Sequence, residues 1–345
     1  MLFSPTVLKY NYNHKRRSAM SNNKVAIIFT GGTISMKIDP RIQAAIPALT
    51  SEEIIAMVTN IEKFADIEII NFSNLPSPHI DPQMMMELSK LVNKTIKRDD
   101  ITGVIVTHGT DTLEETAYLL DLTVKSEKPV IVVGAMRNSS ELGYDGSSNL
   151  AAAVCTAISP NARNKGVLVV MNNEVNAASE VTKTNTLSLD TFKSPEFGPL
   201  GIVDNDEVIF YREILKRQHI DTDKIEEKVG LIKCGPGMGS DILYFYIDSG
   251  YKGIVIEALG RGNVPPCMVD GIKKAIEKNV PVVLVSRCPT GRVLDTYGYE
   301  GGGKHLKELG VIFGGTLPGQ KARIKLMLAL SITEDMEKIR TFFED

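Results

Sequence analysis

The chain has 345 residues, of which 43% are hydrophobic and 23% charged, a mix typical of a soluble globular protein with about two domains at ~150 residues each. Lys and Arg total 39 and Asp and Glu total 42, so the net charge of −3 lacks the basic excess of a nucleic-acid-binding surface. Aromatic residues make up only 6% and tryptophan is absent, which disfavours base stacking and aromatic carbohydrate platforms.

Residues 1–23 are predicted to be a disordered extension, unless Met20 is the natural start. Their apolar stretch is broken by Pro5 and precedes the basic residues 15–17, whereas a signal peptide places its basic residues first. No later stretch reaches the ~18 continuous apolar residues that a membrane helix needs. The four cysteines form no C-x-x-C pair, which favours reduced thiols in a cytoplasmic protein over a zinc site or a disulfide framework.

Short apolar runs alternate with amphipathic stretches from Lys24 onward. The runs are rich in Val and Ile and unbroken by polar positions, as expected of parallel strands covered on both faces. They lie at residues 25–29, 67–70, 103–107, 129–133 and 166–170. Capping signals mark three helix starts, at Thr50 with Glu53, Asp81 with Pro82, and Thr112 with Glu115. This βαβ series predicts an α/β domain over residues 24–198.

The segment 199–227 is polar and charge-rich, and it is predicted to be a connector between domains. A second series of apolar runs follows it, at residues 229–235, 253–259, 281–286 and 311–315. A last helix is predicted over residues 320–331. These elements predict a smaller C-terminal α/β domain over residues 228–345.

Two threonine-bearing turns follow predicted strands of the first domain. They are FTGGTIS (29–35) and VTHGTDT (106–112). Ligands of open α/β sheets bind beyond the carboxyl ends of the strands, where such turns lie. The first turn lacks both the G-x-G-x-x-G spacing and the G-K-[ST] ending, so the nucleotide interpretation is weak. Thr33 and Thr110 instead suit a hydroxyl nucleophile with an activated partner.

Three charged or titratable residues accompany the threonines. Asp111 precedes a predicted helix, so capping alone would explain it. His108 is predicted to be a satisfied residue at a strand end, because no Ser/Cys-His-Asp arrangement surrounds it. Lys183, in VTKTNT (181–186), has polar neighbours that would hold its ammonium group, and a desolvated lysine suits general-base work. Spacing alone does not join Lys183 to Thr110.

In combination these motifs resemble those of the bacterial L-asparaginase family, threonine amidohydrolases of the asparaginase/glutaminase fold. The resemblance covers residues 24 to 345 in family order. It is carried by TGGTIS (30–35), VTHGTDTLEETAYLLDL (106–122), GAMRNSSELGYDGSSNL (134–150), VTKTNT (181–186), TFKSPEFGPLG (191–201), SRCPTG (286–291) and GTLPGQKAR (315–323). It implies a larger Rossmann- or flavodoxin-like parallel-sheet domain followed by a smaller α/β domain.

The resemblance also implies hydrolysis of L-asparagine to L-aspartate and ammonia, without a metal or an organic cofactor. Thr33 matches the nucleophilic threonine, and Thr110 and Asp111 match the second threonine and its neighbouring acid. Lys183 matches the lysine linked to that pair, which would activate either the nucleophile or the hydrolytic water. A third possibility is that an activated water attacks the substrate amide directly, without an acyl-enzyme.

The family's substrate-binding positions have counterparts as well. Ser77 corresponds to the residue that binds the substrate carboxylate, while Asp111 would bind the α-amino group and Thr110 would line the same site. Ala135 lies in the turn whose backbone carbonyl receives the departing amide. Backbone N–H groups around Thr110 are the expected oxyanion donors, and losing one such donor typically costs about 100- to 1,000-fold in rate.

One departure from the family pattern matters for the mechanism. Relatives carry an activating tyrosine in the loop after the first threonine, whereas residues 35–49 contain no tyrosine. Tyr297 is a candidate replacement, since its segment resembles one that reaches into a partner subunit's site; loop packing explains Tyr297 and Tyr299 equally well. Arg261 occupies a place where some relatives have a small polar residue near the substrate.

The leading hypothesis is therefore a cytoplasmic homodimeric or homotetrameric L-asparaginase acting on a small molecule, with no nucleic-acid or membrane partner. One alternative is the amidase component of a tRNA-dependent amidotransferase, which shares these motifs but is expected to carry an added domain. Another is a catalytically silent amino-acid sensor on the same fold. A sensor would need neither the second threonine nor the lysine.

Overall fold

The computed structural model describes residues 6–8 and 23–344, and the chain divides into two compact units, residues 1–219 and 220–345. Apart from a strand at residues 6–8, the predicted extension lies almost entirely outside the described residues. Within the part of the chain that is described, no helix combines the length and apolar character needed to span a membrane.

The first unit is a large sheet flanked by helices. Its strands are β1 (Thr6–Leu8), β2 (Lys24–Gly31), β3 (Met36–Asp39), β4 (Ala44–Pro47), β5 (Asp66–Leu75), β6 (Gly103–Thr107), β7 (Val130–Val133), β8 (Val167–Met171), β9 (Glu174–Ala177), β10 (Thr182–Lys183), β11 (Phe192–Lys193), β12 (Gly201–Asp204) and β13 (Glu207–Phe210). Its helices are α1 (Ser51–Ala56), α2 (Pro82–Ile96), α3 (Leu113–Thr123) and α4 (Gly146–Ile158). Short 3₁₀ turns cover residues 33–35, 61–63, 77–79 and 160–162.

Among the described residues, nine strands form one sheet in the order β1-β5-β2-β6-β7-β8-β9-β12-β13. The five predicted strands of the first domain are confirmed as the parallel centre of this sheet, β5-β2-β6-β7-β8. Their side chains are buried on both faces, which explains the unbroken apolar runs. The remaining strands pair antiparallel at the two edges.

The strand order places the carboxyl ends of β2 and β6 side by side. From β2 the chain passes to β5 on one side and then returns to β6 on the other. Such a reversal of direction creates the crevice in which open α/β sheets bind ligands. The turns after β2 and β6 are the two that carry Thr33 and Thr110.

The predicted connector 199–227 differs from the structure, because part of it forms the hairpin β12–β13 at the sheet edge. The hairpin turns tightly at Asn205 and Asp206, which adopt positive φ angles of 46° and 66°. Val203 and Val208 face the core while their neighbours face solvent. Burial alternates in this edge hairpin although its apolar residues are consecutive, and the apolar stretches 202–203 and 208–210 are too short to stand out as strands.

Two of the three predicted helix starts have the expected caps. Thr50 and Glu53 form a reciprocal capping box, and the Asp81 carboxylate accepts the Met84 N–H. The box predicted at Thr112 was wrong, because the Thr112 side chain makes no capping hydrogen bond. Its hydroxyl donates instead to the Ser77 carbonyl at 3.0 Å, across to the segment that follows β5.

The second unit is a four-stranded parallel sheet in the order β14 (Val229–Lys233), β15 (Gly253–Ala258), β16 (Val282–Ser286) and β17 (Ile312–Phe313). Its helices are α5 (Asp241–Asp248), α6 (Val269–Glu277), α7 (Gly303–Glu308), α8 (Gly319–Leu330) and α9 (Met336–Thr341), and a 3₁₀ turn covers residues 266–268. The four predicted strands and the predicted last helix, α8, are present. The helix α9 follows them and was not predicted.

Candidate active site

The turns after β2 and β6 are packed backbone against backbone. Gly31 and Gly32 have φ angles of 109° and 85°, a region that residues with a Cβ atom rarely adopt. A Cβ atom on Gly32 would lie 2.3 Å from the Cα of Gly109. The Thr30 hydroxyl also donates to the Thr107 carbonyl at 2.7 Å. Gly32 therefore allows the first threonine turn to rest directly on the second. Gly31, where an added Cβ would lie 2.4 Å from the Leu75 nitrogen, allows it to rest on the end of β5.

Thr33 begins the single 3₁₀ turn that follows these glycines. The Ser35 N–H and hydroxyl both donate to the Gly32 carbonyl, at 2.9 and 2.8 Å. The oxygen of the same hydroxyl lies 3.0 Å from the side-chain amide of Asn74, which ties the turn to the end of β5. Thr33 itself is half-buried, and these bonds fix the backbone that carries it at the sheet edge.

Lys183 lies beside the second threonine turn. Its Nζ is 2.9 Å from Thr110 Oγ1 and 2.8 Å from Asp111 Oδ1. Thr110 is buried, whereas the Asp111 side chain is 65% exposed and the Lys183 side chain 17%. The Lys183 side chain thus links the buried Thr110 hydroxyl to the solvent-exposed Asp111 carboxylate.

Glu114 anchors the strand that carries Lys183, and the sequence did not reveal this role. Its Oε1 accepts the Thr182 hydroxyl at 3.0 Å and the Lys183 N–H at 3.3 Å. Glu114 lies in the first turn of α3, whose start follows Asp111 closely. The helix that succeeds the second turn therefore also fixes β10. Two adjacent acids in a helix's first turn are too common to identify this function.

Ser77 and Ala135 lie against the same turn. Ser77 is buried, and a Cβ atom on Gly109 would lie 2.8 Å from its Oγ. Ala135 is fully buried and follows β7 through Gly134, where an added Cβ would lie 3.3 Å from Thr110 Cγ2. The structure therefore brings the segments of Thr33, Ser77, Thr110, Asp111, Ala135 and Lys183 to one edge of the sheet.

His108 is fully buried next to this site, and both ring nitrogens have partners, as predicted. Nδ1 donates to the Gly109 carbonyl at 2.8 Å, and Nε2 accepts from the Thr116 hydroxyl at 2.9 Å. Burial lowers the pKa of His108 from 6.5 to about 4, because the imidazolium cation is poorly solvated there. The ring is therefore neutral at pH 7.

Protonation of His108 is expected to destabilise the fold in acid. The unfolded chain binds this proton at a higher pH than the folded chain does, so the free energy of unfolding falls as the pH drops from 6.5 to about 4. The expected loss is on the order of 3 kcal/mol. Urea unfolding between pH 7 and 4 measures it. His108→Gln, which does not titrate, is expected to remove this part of the pH dependence; an unchanged slope in that variant would contradict the prediction.

Tyr297 lies in the second unit. Its side chain is 41% exposed, and its ring centroid is 5.6 Å from that of Tyr299. Arg261, in the same unit, is exposed and lines a surface cavity together with Cys288 and Arg292. All four cysteines are free thiols; Cys155 and Cys234 are buried, while Cys267 and Cys288 are exposed.

Comparisons with known proteins agree with the motifs. Residues 24–216 match the family model "Asparaginase, N-terminal", and residues 228–343 match "Glutaminase/Asparaginase C-terminal domain". A Haemophilus influenzae relative named "probable L-asparaginase periplasmic" is 38% identical over 329 residues, covering 93% of this chain and 92% of the relative. The solved probable cytoplasmic L-asparaginase from Campylobacter jejuni is 35% identical with a TM-score of 0.84, covering 93% of this chain and 99% of that one.

Amidotransferase components also match. One of them, a glutamyl-tRNA(Gln) amidotransferase subunit from Pyrococcus horikoshii, is 36% identical over 331 residues. The match covers 92% of this chain and 74% of that relative, so about a quarter of the relative lies outside it. Taken with the two family models and the 0.84 TM-score, these relatives show that the chain belongs to the asparaginase family of amidohydrolases.

Proposed function

We propose that the protein is an L-asparaginase that hydrolyses L-asparagine to L-aspartate and ammonia, with Thr33 as its nucleophile. The observation that carries this proposal is the contact of Lys183 Nζ with Thr110 Oγ1 at 2.9 Å, beside the turn that bears Thr33. A simple binding site needs no lysine on a buried hydroxyl. Hydrolysis needs a group that moves protons between nucleophile, water and leaving group.

The proposed first step is attack of the Thr33 hydroxyl oxygen on the side-chain amide carbon. The hydroxyl proton passes to the amide nitrogen, the C–N bond breaks and ammonia leaves. Backbone N–H groups around Thr110 would stabilise the oxyanion of the tetrahedral intermediate. The product of this step is an aspartyl ester on Thr33.

The second step is hydrolysis of that ester. Water adds to the ester carbonyl, and Thr110 takes the water's proton while passing its own hydroxyl proton to the uncharged amine form of Lys183. The C–O bond to Thr33 then breaks as that proton returns through Thr110 to the Thr33 oxygen. In this scheme Ser77 binds the substrate α-carboxylate and Asp111 its α-amino group. Thr110 and the Ala135 carbonyl would contact the side-chain amide.

An ammonia-release assay of the purified protein with L-asparagine, L-glutamine and D-asparagine tests the proposal. We expect turnover of L-asparagine without any added protein. Ammonia release that requires tRNA and a second protein component would favour the amidotransferase alternative. Binding of L-asparagine by calorimetry without any turnover would favour the sensor. No turnover of all three amides would overturn the proposal.

Tyr297 is proposed to replace the activating tyrosine that residues 35–49 lack. Tyr297→Phe removes only the hydroxyl, so we expect kcat to fall by about 100-fold or more, as for loss of a proton-transfer group. Tyr299→Phe is the matched control, since the two rings are neighbours, and it is expected to leave kcat unchanged. A wild-type rate for Tyr297→Phe would show that Tyr297 serves packing alone.

Assembly as a homodimer or homotetramer and a cytoplasmic location are further parts of this proposal. The name of the C. jejuni protein supports the location, whereas the name of the H. influenzae relative points to the periplasm. Light scattering of the purified protein and cell fractionation would decide these two points.

A further inference from the structure

The segment that follows Thr33 is a hairpin with little support of its own. Strands β3 and β4 pair with each other and, among the described residues, with no other strand. Its base is closed where the Ser35 carbonyl accepts the N–H groups of Ala48 and Leu49 at 3.0 and 2.9 Å. An isolated two-stranded hairpin is marginally stable in water. Contacts from outside the hairpin are therefore needed to hold it still.

Residues 137–144, here called the tether loop, supply such contacts to the hairpin's first strand. The Ser139 N–H and hydroxyl both donate to the Met36 carbonyl, at 3.2 and 2.9 Å. Ser140 Oγ accepts the Ile38 N–H at 3.1 Å. These bonds satisfy the Met36 carbonyl and the Ile38 N–H, two backbone groups of β3 that lie two residues apart.

Tyr144 reaches closest to Thr33. Its hydroxyl donates to the carbonyl of Ile34, the residue next to Thr33, at 2.9 Å. The ring packs over Gly146, where an added Cβ would lie 2.2 Å from the tyrosine oxygen. Burial and the nearby Asp145 carboxylate raise the pKa of Tyr144, so the hydroxyl keeps the proton that it donates.

The tether loop is itself anchored beside the predicted amide-binding turn. The Asp145 carboxylate accepts the N–H groups of Met136 and Arg137, at 3.0 and 2.9 Å, and the Asn149 amide at 2.9 Å. The Asn149 amide also donates to the Gly134 carbonyl at 3.0 Å. Because Tyr144 and Asp145 are adjacent in the chain, these hydrogen bonds connect the turn at Gly134 with the backbone beside Thr33.

We propose that Tyr144, assisted by Ser139 and Ser140, is a positioning residue that holds the Thr33 turn against the Gly134–Ala135 turn. The kinetic part of this inference rests on the proposed nucleophilic role of Thr33. Ser77 and Asp111, the proposed binders of the substrate backbone, lie on other segments. Loss of the tether therefore affects the placement of the nucleophile more than the binding of substrate.

Tyr144→Phe tests the proposal kinetically, because it keeps the ring and removes the hydrogen bond to Ile34. We expect kcat for L-asparagine to fall about 3- to 10-fold, as for loss of one net hydrogen bond, with KM within about twofold of wild type. Leu142→Ala is the matched control. Leu142 lies in the same loop with a 95% exposed side chain, and its replacement is expected to change neither constant.

Amide hydrogen exchange of the free protein supplies a readout that does not depend on catalysis. We expect faster exchange at residues 36–47 in Tyr144→Phe than in Leu142→Ala, with β6 unchanged. Ser139→Ala, a smaller perturbation, is expected to produce the same local pattern.

Equal rates of amide exchange in the hairpin of Tyr144→Phe and Leu142→Ala would overturn the proposal that Tyr144 holds the hairpin in place. Acceleration that extends to β6 would show a loss of general stability and overturn the local role. Faster hairpin exchange with a wild-type kcat would overturn the positioning of Thr33. If the wild-type protein releases no ammonia from asparagine, the proposed function fails while the exchange comparison still decides the tether.

Discussion

Replacing Lys183 by methionine is expected to lower kcat for L-asparagine by about 10²- to 10⁴-fold, the usual contribution of a positioned proton-transfer group. Methionine keeps most of the side chain's length but cannot donate to Thr110 Oγ1 or to Asp111, which lie 2.9 and 2.8 Å from Nζ. Because the partly exposed Asp111 stays solvated after the change, the fold should survive. Steady-state ammonia release, with circular dichroism of the folded protein, measures the effect.

Lys193→Met is the matched control for this change. Lys193 lies on β11, the strand paired with β10, and its ammonium group pairs with Glu174 at 2.6 Å. Removing that charge should leave kcat within a few-fold of wild type. A comparable loss in both variants would show that disturbance of the small sheet, and not the contact with Thr110, causes the effect.

Thr110→Val completes the comparison. If Thr110 and Lys183 act as one unit, the double variant should be about as slow as either single variant, since groups that act together are strongly non-additive. If instead the fold loss of kcat in the double variant equals the product of the losses in the two single variants, the two residues contribute separately. That outcome would contradict the proposed Thr110–Lys183 pair.

The centre of the large sheet could be predicted from sequence because its strands are covered on both faces. Each of them is an unbroken apolar run, and such runs are visible without any knowledge of the partners. The hairpin β12–β13 has only one covered face, and its tight turn carries the charged residues Asp204, Asp206 and Glu207. Two apolar stretches of only two and three residues beside a charged turn resemble a connector, so this hairpin was not predicted.

The helix start at Thr112 illustrates a different limit. Its sequence has the same spacing as the genuine box at Thr50, yet the Thr112 hydroxyl donates to the Ser77 carbonyl, 35 residues earlier in the chain. A local motif describes what a side chain can do with its neighbours. It contains no information about a distant carbonyl that folding brings close. Here the Thr112 hydroxyl bonds to such a carbonyl, that of Ser77, and does not cap its own helix.

The candidate site shows the same limit on a larger scale. The two threonine turns could be placed at one edge, because each follows a parallel strand. The contact between Lys183 and Thr110 spans 73 residues, and the strand that makes it is two residues long. No periodicity marks so short a strand. Only the family resemblance anticipated the contact, while Glu114 and Tyr144 were found from the folded structure alone.

Replacing Thr33 by valine is expected to have the largest effect of any single change, a loss of roughly 10³- to 10⁶-fold in kcat, as for removal of a nucleophile. Valine is close in shape to threonine, and the 3₁₀ turn is held by Ser35 and Gly32 without the Thr33 side chain. The variant should therefore fold and still bind L-asparagine. Ammonia release measures the rate, and calorimetry measures the binding.

Acid quenching of the reaction, followed by mass spectrometry of the peptides, identifies the residue that carries the acyl group. We expect an aspartyl group on the peptide containing Thr33 and none in Thr33→Val. An acyl group on the Thr110 peptide, or full activity of Thr33→Val, would overturn the assignment of the nucleophile.

The same experiment in Thr110→Val separates the two roles left open for the Thr110–Lys183 pair. If the pair activates the hydrolytic water, ester formation continues while its hydrolysis slows, so the aspartyl ester accumulates and one equivalent of ammonia appears in a burst. If the pair activates Thr33 itself, neither the ester nor the burst forms. Because Thr33 is intact in this variant, an ester that accumulates shows that its hydrolysis, and not its formation, has lost the proton acceptor. The two mechanisms therefore predict opposite results from one variant.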